Sequence, residues 1–268
     1  MTQPDRPRGN RTFLILMLCL ALAGAGVGWW WEARKADAPP AGDDPALEKN
    51  LAAAGIDGRE REAIEGLVRA YILDHPEIIP QAVDRLREKE ASAQIAPLRG
   101  ALETPFPGAV LGNPAGKLTL VEFTDFACTY CRRSVADVEA LIAENPDLRV
   151  VVRELPIISA QSEPAARMGL AAAAQGKYGA FHKAMFAGES PSPASIEAAA
   201  RAAGLDLQAA QAAATSSAAQ AELARNLDMA RKLGINGTPA WVIGDQLIPG
   251  AVGKEQLADA LARARQPG

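Results

Sequence analysis

An α/β fold carrying a helical insertion is predicted for this 268-residue chain by three observations. Two short apolar runs are separated by one helical stretch. A long alanine-rich helical block follows them. The chain then closes on two short apolar runs around a Gly-Asp turn, and a last helix. The order is strand, helix, strand, helical block, strand, strand, helix, which is the alternation of an α/β plan. Hydrophobic residues make up 49% of the chain, with few aromatics and much alanine. That supports a sizeable core with a helix-leaning composition. A net charge of -4 argues against a nucleic-acid binder, which carries a basic patch.

The first element is apolar. Phe13 to Trp31 carry no charge over 19 residues, long enough to cross a bilayer as a helix. Arg6, Arg8 and Arg11 precede this run, and Trp29, Trp30 and Trp31 stand at its far end, like an interfacial aromatic belt. Residues 1–35 therefore read as a cytoplasmic tail and transmembrane anchor. A cleavable signal peptide is the alternative, with Ala36-Asp37-Ala38 as a cleavage site and Pro39 awkwardly placed after it. The arginines favour an inside N-terminus. Either reading exports the rest of the chain, in a bacterium to the periplasmic side, where disulfides persist. Cys19, inside the run, reads as a small apolar filler.

Residues 36–57 are rich in Ala, Pro, Asp and Gly and read as a linker. Two amphipathic helices are expected over 58–95. Ile64, Leu67, Val68, Tyr71 and Ile72 form one apolar stripe; Ile78, Ile79, Ala82, Val83 and Leu86 form another. "DHPEIIP" at 74–80 separates them, because prolines suit helix starts. Such a pair needs a surface to bury its stripes against. The pair could fold back on the main domain or join copies of itself; self-association is the expectation, which makes 58–95 an oligomerisation region standing apart from the main domain.

The main domain is expected over 106–266. Leu118 to Phe123 read as a buried strand, Cys128 to Ala143 as a helix, and "LRVVVRELP" at 148–156 as a second strand. The helical block runs from about 160 to 233, with Ser192 and Pro193 opening one helix and Gly204 stopping it. "TPAWVIG" and "QLIPG" form a hairpin across Gly244-Asp245, and a helix over about 254–265 closes the domain.

Two of the three cysteines fall in "FTDFACTYCRR", just after the first strand. Cysteines at i and i+3 lie close on one helical face, within reach of a disulfide. At a helix start, Cys128 faces unpaired N–H groups and the positive end of the dipole, which favour thiolate over thiol. The thiolate is the attacking and leaving species in exchange. Cys131, one turn in, is shielded and suited to resolve a mixed disulfide. Arg132 and Arg133 add positive potential. A half zinc site is the first alternative, but no second C-x-x-C exists and the only histidines are His75 and His182. A merely structural disulfide is the second.

"VEFTDFACTYC" resembles the active-site strand and helix start of DsbA-like proteins of the thioredoxin superfamily. "AAAAQGKYGAFHKAMF" resembles the start of that family's helical insertion, and "LGINGTPAWVIGDQLIPGA" its cis-proline loop and final hairpin. The resemblance implies a thioredoxin fold with a helical insertion, preceded by the anchor and helical appendage. It implies Cys128 as nucleophile and Cys131 as resolving thiol. It implies Pro239 as the cis-proline facing the disulfide and Thr238 as the backbone offered to an extended client segment. X-Pro bonds are the ones able to be cis, and strand-to-strand binding reads little sequence. Glu122 falls where the family often keeps a buried acid, and Thr129 and Tyr130 form the dipeptide that helps set thiolate stability. His182 falls in the insertion, with a packing role; Trp241 is core.

The expected activity is thiol-disulfide exchange with cysteine-containing exported proteins. It needs no organic cofactor or metal, and a membrane redox partner would recycle the site. The appended helices and Thr238 also resemble features of oligomeric, isomerase-like relatives, so oxidase and isomerase or reductase remain open. A non-enzymatic anchored assembly module is the rival reading.

Overall fold

The computed structural model describes residues 45–265. The expected anchor or signal segment at 1–35, Cys19 within it, and residues 36–44 of the expected linker lie outside the described residues. Among the described residues no helix is long and apolar enough to cross a membrane. They fall into two compact units that divide after Pro76.

The N-terminal unit holds α1 (Pro45–Ala53) and α2 (Gly58–Asp74). The first lies inside the expected linker. Its sequence, "PALEKNLAA", is built from strong helix formers behind a proline at the first position. A capping box opens α2: the Asp57 carboxylate accepts from the amides of Arg59 and Glu60, and Glu60 accepts from the Asp57 amide. No residue of α2 is buried. Ile64, Leu67, Val68 and Tyr71 leave its apolar stripe exposed.

The second unit begins earlier than the expected boundary at Phe106. It takes in α3 (Ile78–Ile95), a 3-10 turn at Ala96–Leu98, and α4 (Arg99–Glu103). Ile95 and Leu102 are fully buried against Val121, Phe123 and Val151. The expected separation of 58–95 from the main domain therefore does not hold for its second helix. The cause is local: Ile95, Leu98 and Leu102 recur every three to four residues and make a second apolar face beyond the exposed Ile79, Val83 and Leu86. Pro97, in the 3-10 turn, separates α3 from α4.

Five strands form one mixed sheet in the order β1-β3-β2-β4-β5. The strands are β1 (Val110–Gly112), β2 (Leu118–Thr124), β3 (Leu148–Glu154), β4 (Ala240–Ile243) and β5 (Gln246–Pro249). Strands β2 and β3 are parallel, with Glu122 opposite Val152 and Thr124 opposite Glu154; the other pairs are antiparallel. Between the parallel pair runs α5 (Thr129–Glu144). The first strand was not among the expected ones. At three residues it is too short to show a period.

The sheet is covered on both faces, because β2 and β3 are buried along nearly their whole length. Leu120, Val150, Val152, Trp241 and Ile243 pack against Val138 and Leu141 of α5 and against Leu257 and Leu261 of α11 (Lys254–Ala264). The opposite face carries Val121, Phe123 and Val151.

Five helices fill the insertion between β3 and β4: α6 (Ser162–Ala174), α7 (Tyr178–Ala187), α8 (Pro193–Ala202), α9 (Leu207–Ala214) and α10 (Ser217–Lys232). Ser192 caps α8 through the amide of Ser195, as its sequence predicts. Met229 and Leu233 bring α10 to the opposite sheet face. Phe126, Cys128 and Cys131 pack with Met168 of α6 and with Phe181, Met185 and Phe186 of α7. The two cysteines thus sit where the end of the sheet meets the insertion.

Candidate active site

Cys128 is the N-cap of α5, in an extended conformation, and its Sγ accepts the amide of Cys131 at 3.4 Å. Its own amide bonds the Asp125 carbonyl at 2.9 Å. On its other side, Sγ donates to the carbonyl of Thr238 at 3.1 Å. The Thr238–Pro239 peptide is cis. The Pro239 carbonyl accepts from the Gly250 amide at 2.8 Å, which ties that loop to the end of β5. Both cysteines are free thiols, Cys128 5% exposed and Cys131 fully buried. The four residues Cys128, Cys131, Thr238 and Pro239, read from two distant sequence segments, thus meet in one place.

The two sulfurs are unlike. Burial pushes the Cys131 thiol far up, and the Glu122 carboxylate nearby pushes it further. Glu122 lies under the site, 3% exposed, and burial raises its carboxyl from 4.5 to about 7. Its Oε2 has no hydrogen-bond partner. A strand-end acid facing solvent would show neither feature.

Thr129 and Tyr130 are exposed on the first turn of α5, and the Arg133 guanidinium sits 5.6 Å from the Tyr130 ring centre. Arg132 does not face the thiols as expected. Its guanidinium donates to the carbonyls of Phe186, Gly188 and Glu189 and so ties the end of α7 to the cysteine helix.

His182 packs among the rings of Phe126, Tyr178 and Phe186, and burial lowers it from 6.5 to about 4. Trp241 is fully buried, with its indole N–H on the Gly250 carbonyl at 2.8 Å. His75 belongs to the N-terminal unit, beside the Tyr71 ring.

Two acids were not singled out by sequence reasoning. Asp125 is buried, and its carboxylate accepts the amides of Ala127, Ile157 and Ile158 at 2.8–2.9 Å. It binds the cysteine loop to the loop after β3. Glu154 is fully buried and accepts the Tyr178 hydroxyl at 2.7 Å. The only signal was its place two residues before Pro156, at the end of a strand otherwise apolar on that face.

Residues 119–262 match the DSBA-like thioredoxin domain family, more than half of the chain. Residues 60–93 match the N-terminal domain of the copper resistance protein ScsC. A thioredoxin-like oxidoreductase from Silicibacter pomeroyi is 44% identical, with a TM-score of 0.57 over 59% of this chain and 92% of that one. A linker-deleted variant of Proteus mirabilis ScsC is 29% identical, with a TM-score of 0.60 over 78% of this chain and 96% of that one. A periplasmic thioredoxin-like protein from Salmonella enterica serovar Typhimurium is 30% identical, with a TM-score of 0.55 over 62% and 95%. Among curated proteins, a Na(+)/H(+) antiporter NhaA 3 from Salinispora tropica is 27% identical over 158 residues. That match covers 58% of this chain and 24% of the antiporter, so the chain spans about a quarter of that relative's length.

Proposed function

The chain belongs to the DSBA-like thioredoxin domain family, and from that premise we propose that it exchanges disulfides with cysteine pairs of exported proteins through Cys128 and Cys131. The observation that carries this reading is the place of the Cys128 sulfur. It caps a helix, accepts the amide of Cys131, and touches the backbone of the Thr238–Pro239 loop.

In the reducing direction, the Cys128 thiolate attacks one sulfur of a client disulfide. A mixed disulfide forms and the second client sulfur leaves as thiolate. Cys131 then gives up its proton and attacks Cys128 Sγ. The Cys128–Cys131 disulfide forms, the client is released, and two electrons have passed to it. The oxidising direction is the reverse. The burial of Cys131 suits a resolving thiol, because a buried sulfur reacts with its neighbour rather than with solvent species. Glu122 is the group placed to take its proton. Thr238 and Pro239 would lie along an extended client segment, and Thr129 and Tyr130 at its rim.

The proposal places this unit on the periplasmic face of a bacterial inner membrane, either held by the segment at 13–31 or released after its cleavage. A Salmonella relative described as periplasmic supports the compartment. A membrane redox partner would return the site to its working state.

Isomerase or reductase activity of an oligomer is the second reading. The match of 60–93 to the ScsC N-terminal domain favours it, as do the exposed stripes of α2 and α3. In that reading 58–95 assembles copies of the chain.

Insulin reduction and refolding of a scrambled disulfide protein test the proposal. The full chain is expected to accelerate one or both, and Cys128→Ser to abolish the effect. Equal rates with and without Cys128 would overturn it. Light scattering on the chain and on Leu67→Lys, Leu86→Lys separates monomer from oligomer.

A further inference from the structure

Glu154 is a buried acid to which the exchange chemistry assigns no task. Its surroundings define its protonation. Strand neighbours point to opposite faces, so Arg153 is turned away and paired with Glu222 at 2.7 Å, near Arg225. On the Glu154 side the charged or titratable neighbours are Glu122, Asp125, Cys131, Tyr178 and His182, and none is a fixed cation. Asp125 already has both oxygens occupied by amide donors and offers no countercharge. An ionised Glu154 would therefore be a buried anion without a countercharge, which is strongly disfavoured. Burial raises its carboxyl well above the ordinary range, and the Asp125 and Glu122 charges add to this.

A neutral Glu154 must place one carboxyl hydrogen. Its Oε1 is engaged as acceptor by Tyr178, and Oε2 is buried without a partner. Glu122 Oε2 is buried without a partner as well. The sheet register sets Glu122 opposite Val152 and Glu154 opposite Thr124, so the two acids are diagonal neighbours on one face. The third orphan is the Thr124 hydroxyl between them. Buried polar atoms of this kind are normally joined to each other or by an internal water. Gly169 makes the room: a Cβ there would come within 2.9 Å of Glu154 Oε1 and 3.2 Å of the Phe126 ring.

We propose that Glu154 is a positioning residue for exchange, held neutral and aimed by Tyr178, whose carboxyl hydrogen supports the Glu122 carboxylate that receives the Cys131 proton. This rests on the exchange reading given above. The balance is simple. Cys131 S–H passes its proton to Glu122 as its sulfur attacks Cys128 Sγ; the Cys128–client bond breaks, and the client thiolate leaves to be protonated by solvent. Glu154 keeps its own proton throughout and stabilises the ionised state of Glu122 before the transfer.

Two measurements on the full chain test this. Infrared spectra across about pH 5 to 9 should show a protonated-carboxyl band that persists at the alkaline end. It should persist in Glu122→Gln and vanish in Glu154→Gln. Absence of a persistent band in the wild type would overturn the proposal. The second measurement is the single-turnover release of a cysteine peptide from the Cys128 mixed disulfide, followed against pH. Glu154→Leu should move the rising limb to higher pH by about one unit or more. Glu154→Gln, which keeps a donor, should restore most of it, and Tyr178→Phe should give a smaller shift in the same direction. An unchanged limb in a folded Glu154→Leu would overturn the proposal. If that variant does not fold, the infrared comparison decides alone. Failure of the exchange reading looks different: the wild type would release no peptide at any pH, while the infrared band would still report on Glu154.

Discussion

The sulfur of Cys128 lies 3.1 Å from the carbonyl oxygen of Thr238, 110 residues further along the chain. One hydrogen bond thus joins the start of α5 to the loop that opens the final hairpin. The amide of Cys131 reaches the same sulfur from the other side. A sulfur so placed is both an acceptor within its own helix and a neighbour of the backbone of the Thr238–Pro239 loop. Beneath it the acids are arranged by the parallel pairing of β2 and β3.

Glu122 makes stability depend on pH in the direction opposite to an ordinary paired carboxylate. Its folded value, about 7, lies above the usual 4.5. The folded state therefore holds an extra proton between those values, and stability falls as pH rises through that window. Glu122→Gln is expected to be more stable than wild type at about pH 8 by up to roughly 3 kcal/mol, and to show little gain near pH 4. Urea unfolding at the two pH values checks this.

His182 acts on the acid side. Its folded value is about 4 against the usual 6.5, so the unfolded chain binds more protons between them. Stability is complete above about 6.5 and is lost as pH falls toward 4. His182→Phe, which keeps a ring in the Phe126–Tyr178–Phe186 nest, is expected to flatten this acid limb. Thermal unfolding midpoints between about pH 4 and 7 provide the measurement.

Gly169→Ala is expected to destabilise the chain by about 1–3 kcal/mol, the usual cost of overpacking. The added carbon meets Glu154 Oε1 and the Phe126 ring at once, and Glu154 is fixed by Tyr178, so the neighbours have little freedom to yield. Chemical denaturation of the variant and of Gly169→Ala, Glu154→Gln should give nearly the same loss.

Much of this was legible in the sequence because it is written in local periods. The runs at Leu118–Phe123 and 148–156, the cap at Ser192 and the Gly244-Asp245 turn are each decided by adjacent residues, and each element forms where its pattern stands. The cysteine spacing likewise placed the N-cap sulfur. The unread parts depend on distant partners. The first strand, Val110–Gly112, has too few residues to show alternation and exists by pairing with β3. Ile95 stood at the end of the expected appendage; the period it shares with Leu98 and Leu102 marks an apolar face, but not the sheet that face meets, nor the Arg153 guanidinium that holds the carbonyls of Ala101, Leu102 and Thr104. Arg132 was read as a charge near the thiols, but the carbonyls it serves lie about 55 residues away in the insertion.

That buried arginine yields its own expectation. Arg153 and Glu222 are each 2% exposed and 2.7 Å apart. Arg153→Met should cost about 3–5 kcal/mol, since it leaves buried Glu222 with Arg225 alone and strands three carbonyls. The double variant Arg153→Met, Glu222→Leu should recover part of that loss. Equilibrium unfolding of the three proteins, combined as a double-mutant cycle, measures the coupling.

The division of labour between the two sulfurs is most directly tested by trapping. Full-length Cys131→Ser is incubated with a disulfide-bonded client, and non-reducing electrophoresis follows the adduct. The expected result is a covalent adduct through Cys128 that dithiothreitol dissolves, scarcely visible in the wild type and absent in Cys128→Ser. An adduct that forms equally well without Cys128, or none in Cys131→Ser, would contradict the assignment of Cys128 as the attacking sulfur and Cys131 as the one that releases the client.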